Sequence, residues 1–250
     1  MSERNLDEKF PNSFLREVAC ELRFPPLLVI ENKIPEFQEK IRDTLPTYTL
    51  STGIPISSGT PSYPSMFNEW IFSSGDVALE LKIMINRFAL ACKAHEGFES
   101  FLKAFMQFFK PFYKLYKVDS YDRVGLRYVN IIPLEPKEDP IEEILRLFNP
   151  IPDTKLIEKR RPFSYELDFR WNEDPYKITV KNGLKKSKDG KTHFYLLDID
   201  AYKPTKTEHS KGNLETIIRE LHDLVLQEFH NGLKDPFREI LRAKKTTVEK

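Results

Sequence analysis

The pattern of hydrophobic and polar residues predicts one long aromatic helix that runs directly into a half-buried strand. The strand is predicted by DRVGLRYVNII, a segment that starts at Asp122. One face of this strand consists of Val124, Leu126 and Tyr128, which alternate with polar or small residues. The preceding GFESFLKAFMQFFKPFYKLY has apolar residues at steps of three and four, which lie on one side of a helix. These residues are Phe98, Phe101, Leu102, Phe105, Phe108, Phe109 and Phe112. We expect this helix and strand to supply a large share of the core.

The segments before this helix predict a strand, a helix and a three-stranded meander. FLREVACELRF (14–24) alternates as a half-buried strand and stops at Pro25 and Pro26, which cannot donate to a ladder. A helix then opens at Pro35 and ends before Pro46, with Phe37, Ile41 and Leu45 on one side. NEWIFSS, VALELKIM and FALACKAH predict three antiparallel strands with turns at Gly75-Asp76 and Asn86-Arg87.

Residues 49–66 predict a long surface loop. Their sequence, TLSTGIPISSGTPSYPSM, is rich in Ser, Thr, Gly and Pro and carries little apolar surface to bury. Loops of this length are either functional or disordered, and the sequence leaves both interpretations open.

The segments after the central strand repeat the order of meander and helix. A short helix over Ile141–Phe148 follows the proline-bounded PLEPKEDP. FSYELDFRW, YKITVKNG and HFYLLDIDAY predict three strands, and Asn213–His230 predicts a long amphipathic helix. Gly232 stands where a left-handed residue would end that helix, and DPFREILRA predicts one or two further turns.

Together the elements predict an α+β fold in which antiparallel meanders curve around the helices at 97–117 and 213–230. The predicted organisation is a mobile N-terminus (1–13), a first α+β half (14–148) and a second (162–242), packed as one compact unit. The shared order is compatible with a diverged duplication of 68–117 and 162–230, and the halves show no stretch of identity. A curved sheet around one C-terminal helix, with a ligand cavity between them, is the alternative layout.

Composition and charge narrow the class of protein. The 250 residues are 40% hydrophobic and 31% charged, which is typical of a globular chain. Lys and Arg total 39 against 38 Asp and Glu, a balance that disfavours general nucleic-acid binding and leaves a local basic patch possible. The lysines at 181, 185, 186, 188 and 191 are the best such patch for RNA or single strands.

Cysteine usage and the N-terminus predict a cytoplasmic protein. Cys20 and Cys92 each lie in an apolar strand pattern, which is typical of buried thiols in a reducing compartment. The N-terminal MSERNLDEKF has no signal-peptide core, and the apolar runs are too short to span a bilayer.

The most interesting polar positions lie in RVGLRYVN. Arg123 and Arg127 share one strand face with Gly125 between them, which leaves room for a flat or anionic ligand, and Asn130 follows. The favoured alternative is that the arginines pair with acids on the sheet face or with Glu17 and Glu21 of the first strand.

Asp198 and Asp200 are the candidate metal ligands. They lie two apart on a strand, so both carboxylates project from one face, as ligands for Mg²⁺ or Mn²⁺ would. The favoured interpretation is a solvated ionic face, because Glu166, Asp168 and Arg170 and Lys177, Thr179 and Lys181 lie on the other strands of the same meander. We therefore predict no metal and no cofactor.

His222 and a group of aromatic and basic residues complete the candidates. We expect His222 to pair with Glu215 or Asp223, or to be half-buried, rather than to act as a general base. Beyond Pro111, the residues Tyr113, Lys114, Tyr116 and Lys117 break the apolar stripe and suit an exposed patch that meets a partner. The sequence contains no G-x-S-x-G, H-E-x-x-H, C-x-x-C or P-loop string, and no catalytic residue is predicted.

Four strings carry a resemblance to a known family. FLREVACELRF, RVGLRYVN, LLDIDAY and LHDLVLQEFHNGLKDPFREIL resemble a sporadically distributed family of bacterial and archaeal proteins of similar length. The matching positions are Glu17 and Leu22–Phe24, then Arg123–Asn130, then Leu221, His222 and Phe229. The resemblance implies a place in mobile or defence-related loci and no established activity or cofactor.

These observations favour an interaction protein over an enzyme. The first hypothesis is a cytoplasmic component of a defence, regulatory or toxin–antitoxin-type system that contacts another protein or itself and does not bind a membrane. The second is a ligand-binding or metal-dependent enzyme built on Arg123, Arg127, Asp198 and Asp200. The third is RNA or single-stranded nucleic-acid binding.

Overall fold

The computed structural model describes residues 10–53, 67–94, 96–136, 138–149, 164–208 and 211–243. These ranges contain nine strands: β1 Leu15–Arg23, β2 Thr47–Gly53, β3 Phe67–Ser73, β4 Leu79–Met84, β5 Arg87–Cys92, β6 Ser120–Pro133, β7 Tyr165–Glu173, β8 Tyr176–Lys186 and β9 His193–Glu208. They also contain five helices: α1 Val29–Ile41, α2 Phe98–Tyr116, α3 Pro140–Leu147, α4 Lys211–Asn231 and α5 Asp235–Arg242. None of the described helices is long and apolar enough to cross a membrane.

All nine strands belong to one antiparallel sheet in the order β2-β3-β4-β5-β1-β6-β9-β8-β7. The predicted α+β class and both predicted meanders, β3-β4-β5 and β7-β8-β9, are confirmed. β2 and β7 are the terminal strands of this sheet within the described ranges.

The chain clusters into two compact units whose limits fall inside β1, β6, β9 and α4. The first unit comprises Glu17–Leu126 and Tyr202–Arg219, and the second comprises Met1–Arg16, Arg127–Ala201 and Glu220–Lys250. The division into halves at 148–162 stays a prediction from the sequence.

The core of the first unit is built on the aromatic side of α2, as the spacing predicts. Phe88 of β5 contacts Phe105, Phe109 and Phe112 with ring centroids 5.6, 5.6 and 4.7 Å apart. Phe112 also contacts Phe37 of α1 at 5.7 Å, edge to face. All five rings are buried, so apolar burial and ring packing hold α1 and α2 to the sheet.

α1 begins earlier than the sequence predicts. The helix starts at Val29, and Pro35, which we expected to open it, lies in its interior. A proline there removes one backbone hydrogen bond. Ile30 and Ile34 are buried in the turns before it, and their burial outweighs that loss. Phe37, Ile41 and Leu45 are buried as predicted.

The predicted loop at 49–66 is wrong for its first residues. Thr47–Gly53 forms the edge strand β2, paired antiparallel with β3 from Thr47↔Ser73 to Gly53↔Phe67. Thr and Tyr fit a pleated strand, and this preference outweighs the Ser, Thr and Gly content of the segment. The rest of the predicted loop, 54–66, lies outside the described residues.

The core of the second unit contains a smaller aromatic cluster. Phe148, next to α3, stacks on Tyr195 of β9 at 4.2 Å and contacts Phe237 of α5 at 4.7 Å. Asp139 caps α3 by accepting hydrogen bonds from the backbone N–H groups of Ile141 and Glu142 at 2.9 and 3.1 Å.

The N-terminal segment contacts the end of α5. The Asn12 side-chain amide donates to the carbonyls of Ile240 and Ala243 at 2.9 and 2.8 Å, where the helix leaves backbone acceptors without helical partners. The described part of the predicted mobile N-terminus, residues 10–13, is therefore tied to α5, and residues 1–9 lie outside the described ranges.

The predicted role of Gly232 is wrong. The described glycines with left-handed φ are Gly97 and Gly190, and Gly232 does not share that conformation. Instead its N–H donates to Glu228 and its carbonyl accepts from the N–H of Asn149 at 2.8 Å. The next residue, Leu233, forms an antiparallel backbone bridge with Phe148. The chain after α4 therefore pairs with the chain after α3.

Candidate functional site

Arg123 contacts Glu21 and Tyr202 within the first unit. Its Nη1 donates to Glu21 Oε1 of β1 at 2.8 Å, and its guanidinium lies 4.5 Å from the centroid of the Tyr202 ring. The space above Gly125, where we expected room for a ligand, is covered by this guanidinium, because a Cβ on Gly125 would lie 2.7 Å from Arg123 Cζ. The alternative pairing with Glu21 is the one observed.

Arg127 and Asp198 form a bidentate ion pair in the second unit. Arg127 Nε and Nη2 donate to the two carboxylate oxygens of Asp198, both at 2.7 Å. The Asp198 side chain is 7% exposed and the Arg127 side chain 48%, so the arginine covers the acid. An anion that needs the Nε and Nη2 edge of Arg127 would have to displace this carboxylate, which is a costly exchange for a buried charge.

The other predicted site residues, Asn130, His222 and Asp200, lie on three different elements, β6, α4 and β9. Asn130 is buried and donates to the carbonyl of Leu197 at 3.3 Å. His222 lies on α4 with Nδ1 2.8 Å from the hydroxyl of Tyr128, on the strand β6. The expected half-buried position of His222 is observed, with Tyr128 as a partner that the sequence analysis did not name. Asp200 is partly exposed.

The ionic face predicted for the second meander is present on β7 and β8, but Asp198, for which it was predicted, is buried and pairs with Arg127 of β6. Lys185 pairs with Glu166, and Lys181 lies 3.9 Å from Asp168. These pairs join β7 to β8 across the face away from Ile178 and Val180. Among the described residues, no group of three or more His, Cys, Asp or Glu side chains is arranged to hold a metal ion.

A depression on the described surface lies at the C-terminal end of α2. It has a volume of about 520 Å³ and is broadly open to solvent. We call it the basic groove. It is lined by Lys110, Pro111, Tyr113, Lys114, Lys117 and Asp119.

Helical spacing creates the basic groove. Lys110, Tyr113, Lys114 and Lys117 are separated by steps of three and four, so they follow one side of the last two turns. The opposite side of α2 is fixed in the aromatic core, which holds these side chains on a rigid support. Lys117 ends the helix in the left-handed conformation, with φ of 50°, and its N–H donates to the Tyr113 carbonyl at 2.9 Å.

The basic groove is electropositive. Three lysines and one aspartate line it, and none of the lysines forms an ion pair with a residue in the described ranges. The three lysines are exposed, and Tyr113, partly exposed, packs on Phe109 with ring centroids 6.1 Å apart. The arrangement offers three ammonium groups around one ring, which suits carboxylates flanking an apolar side chain.

One member of the predicted aromatic-basic patch is misplaced. Tyr116 is 5% exposed and packs on Phe112 at 4.7 Å, because α2 continues through Pro111 and keeps its buried side to its end. Burial raises the pKa of the Tyr116 hydroxyl well above its ordinary value. The patch keeps Tyr113, Lys114 and Lys117 and gains Lys110, which heptad-like spacing from Lys117 would have indicated.

Comparisons with known proteins leave the family open. No protein-family model matches the chain, and no curated protein matches it significantly.

Proposed function

We propose that this chain is an interaction protein that binds an acidic segment of another protein in the basic groove. The resemblance in its sequence motifs leads us to place it in a cytoplasmic defence, regulatory or toxin–antitoxin-type system. The observation that carries the proposal is the cluster of three exposed lysines around Tyr113, without ion-pair partners in the described ranges, on a helix whose other side is fixed in the core.

Charge complementarity selects the occupant. An acidic segment would neutralise ammonium groups that have one carboxylate, Asp119, among the residues lining the groove. Tyr113 and Pro111 add an apolar floor, which favours a segment that carries an apolar side chain between its acids.

Nucleic acid fits this groove less well. Nucleic-acid binders usually carry a strong basic excess, whereas the whole chain carries a net charge of only +1. Of the five lysines at 181–191, Lys181 and Lys185 lie in ion pairs with Asp168 and Glu166. Binding of RNA or single strands is therefore an outcome that the experiment must test rather than a second proposal.

The enzyme hypothesis has no specific observation in its favour. Arg123 contacts Glu21 and Tyr202, and Arg127 contacts Asp198, so each guanidinium has a protein partner. We do not adopt it.

Charge reversal tests the proposal. The full-length protein, its Lys110→Glu/Lys114→Glu variant and a matched Lys93→Glu/Lys103→Glu variant are each co-expressed with the products of the adjacent genes and purified. Lys93 and Lys103 are exposed and lie outside the groove, so both variants change the net charge equally. We expect a neighbouring product to co-purify with the wild type and the matched control and to be lost from the groove variant.

Two results would contradict the proposal. One is equal retention of the partner by all three proteins, and the other is a protein that co-purifies with none of the neighbouring products. Loss of the partner on nuclease treatment would move the assignment to nucleic acid.

We also propose that the two halves derive from an ancient duplication. The first half runs β1, α1, the meander β3-β4-β5 and α2, and β5 lies next to β1. The second runs β6, α3, the meander β7-β8-β9 and α4, and β9 lies next to β6. This shared order supports the proposal, with β2 as an addition to the first half.

A further inference from the structure

The outer edge of β7 is available for pairing. β7 bonds to β8 along its whole length, from Tyr165↔Leu184 to Glu173↔Tyr176, and it is the last strand of the sheet. Within the described ranges no strand lies on its other side. Its nine residues include no proline, which would remove a backbone donor from the edge, and no lysine, the charged residue that most often protects an edge from pairing.

The apolar face of β7 is incompletely covered. Tyr165, Leu167, Phe169 and Trp171 are all partly exposed, whereas Ile178 and Val180 on the same face of β8 are 1% and 4% exposed. Burial therefore decreases at the edge strand, and a further strand would extend the covered face.

The charges on the other face make β7 complementary to itself. Asp168 and Arg170 flank Phe169, and within one chain the guanidinium of Arg170 donates to the Asp168 carboxylate at 3.0 and 3.2 Å. If a second copy of β7 pairs antiparallel with Phe169 opposite Phe169, each Arg170 lies opposite an Asp168. Trp171 then lies opposite Leu167, and Asn172 opposite Glu166.

Each neighbouring register brings like charges together or loses the arginine–aspartate pairs. Centring the pair on Asp168 places Arg170 opposite Glu166 twice but also places the two Asp168 carboxylates directly opposite each other. Centring it on Arg170 places the two guanidinium groups opposite each other and Asp168 opposite Asn172. Centring it on Leu167 places Glu166 opposite Asp168 twice. Centring it on Trp171 leaves Asp168 without an arginine opposite and shortens the ladder. Like charges directly opposite one another destabilise a strand pair, so the Phe169-centred register is selected.

We propose that two copies of this chain associate through β7, antiparallel and centred on Phe169, to form one continuous sheet across a twofold axis. The interface is isologous, as closed dimers require, and its backbone hydrogen bonds satisfy the edge groups of both copies. The inference goes beyond the proposed function and leaves the basic groove out of the interface.

Charge swapping is the first test. We expect the 250-residue chain to have twice its 29.4 kDa mass in light scattering at about 100 µM, where a dimer with a dissociation constant of about 10 µM is mostly assembled. Arg170→Asp and Asp168→Arg should each weaken the dimer at least about tenfold, since like charges then oppose each other twice. The Asp168→Arg/Arg170→Asp double variant should restore the dimer, and a mixture of the two single variants should form heterodimers.

A cysteine pair is the second test and reads the register directly. Phe169→Cys should crosslink to its own copy under mild oxidation, because the two residues lie opposite each other. Glu173→Cys, about 27 Å from its own copy at 3.4 Å per residue along the strand, should not. Circular dichroism checks that each variant is folded.

A monomer throughout this concentration range, with no crosslink at 169, would overturn the inference. A dimer that is insensitive to the charge swaps would also overturn it. Neither result bears on partner binding in the basic groove, so the two proposals fail separately.

Discussion

At the residue scale, two glycines that look alike in the sequence have opposite roles in the structure. Gly183 lies in β8 opposite Glu166 of β7, and a Cβ there would overlap the Tyr165 carbonyl oxygen and lie 3.0 Å from the Glu166 Cα. Gly232 follows α4, and a Cβ there would meet its nearest atom, the Phe229 carbonyl oxygen, at an ordinary 3.4 Å. Only Gly183 is required by close backbone approach.

The glycines provide a matched pair of alanine substitutions. We expect Gly183→Ala to lower the free energy of unfolding by about 1–3 kcal/mol, since the methyl group must push β7 away from β8. Gly232→Ala should leave the free energy of unfolding unchanged or raise it by about 0.4–1 kcal/mol, because alanine lowers the conformational entropy of the unfolded chain. Urea denaturation measures both, and a larger loss for Gly232→Ala would show that our account of the two positions is wrong.

Two buried tyrosines differ in their hydrogen bonding. The Tyr116 hydroxyl is buried without a hydrogen-bond partner among the described residues, whereas the Tyr128 hydroxyl bonds to His222. Because an unpaired buried hydroxyl costs free energy, Tyr116→Phe should raise the unfolding free energy by up to about 1 kcal/mol. Tyr128→Phe should lower it by about 1 kcal/mol. Equal losses in denaturation experiments would indicate that Tyr116 has a partner after all.

Individual side-chain partners were only partly predictable from the sequence. Strand alternation correctly separated Val124, Leu126 and Tyr128 from Arg123 and Arg127, because one face must be buried. It did not predict that Arg123 folds back over Gly125, or that Asp198 pairs with Arg127, since both contacts depend on which strands are neighbours.

At the element scale, burial decided where helices begin and continue. α1 and α2 both contain an internal proline, Pro35 and Pro111, and in each the buried residues continue on both sides of it. Local rules place a helix boundary at proline, and they failed for α1 because they ignore the apolar surface of Ile30 and Ile34. The aromatic helix α2 was predicted well, since its stripe is long and regular.

Helix α3 carries a buried carboxylate that should make stability depend on pH. Glu143 is 4% exposed, its carboxylate accepts from the Glu135 N–H at 2.8 Å, and burial raises its pKa above the ordinary 4.5. The folded state therefore holds the proton more tightly than the unfolded chain. This contribution to stability is complete below about pH 4.5 and is lost as the pH rises through the folded-state pKa.

Glu143→Gln isolates this effect. The amide oxygen still accepts the Glu135 N–H and carries no charge, so the variant should gain stability over the wild type between about pH 4 and pH 7. Glu239→Gln, at an exposed position on α5, is the matched control substitution. Denaturation curves at several pH values measure the difference, and a gain that is constant or shrinks with rising pH would contradict this explanation.

At the scale of the whole molecule, the sequence predicted the class and the two meanders but not the strand order. Period-two alternation identifies β7, β8 and β9 and their turns. It does not say that β1 lies between β5 and β6, or that β7 ends the sheet. Long-range pairing of this kind depends on contacts between residues far apart in the chain, such as Cys20 of β1 and Leu90 of β5, which a local pattern does not encode.

The candidate sites show the same division. The basic groove arises within one helix and was largely visible as a patch of Tyr and Lys residues. The sequence shows the charged residues of β7, but only the strand order shows that β7 is an edge strand within the described ranges. Because the sequence contains no recognisable catalytic string, both proposals for this protein rest on surfaces that the fold exposes.

The most direct test of the interaction account is zero-length carbodiimide crosslinking of the full-length protein with its co-purifying partner, followed by mass spectrometry. This reagent joins an amine to a carboxylate in contact with it. We expect Lys110, Lys114 or Lys117 to become joined to Asp or Glu residues of one acidic partner segment, and we expect high salt to abolish these links. Links to the partner that arise only from lysines outside the groove would contradict it.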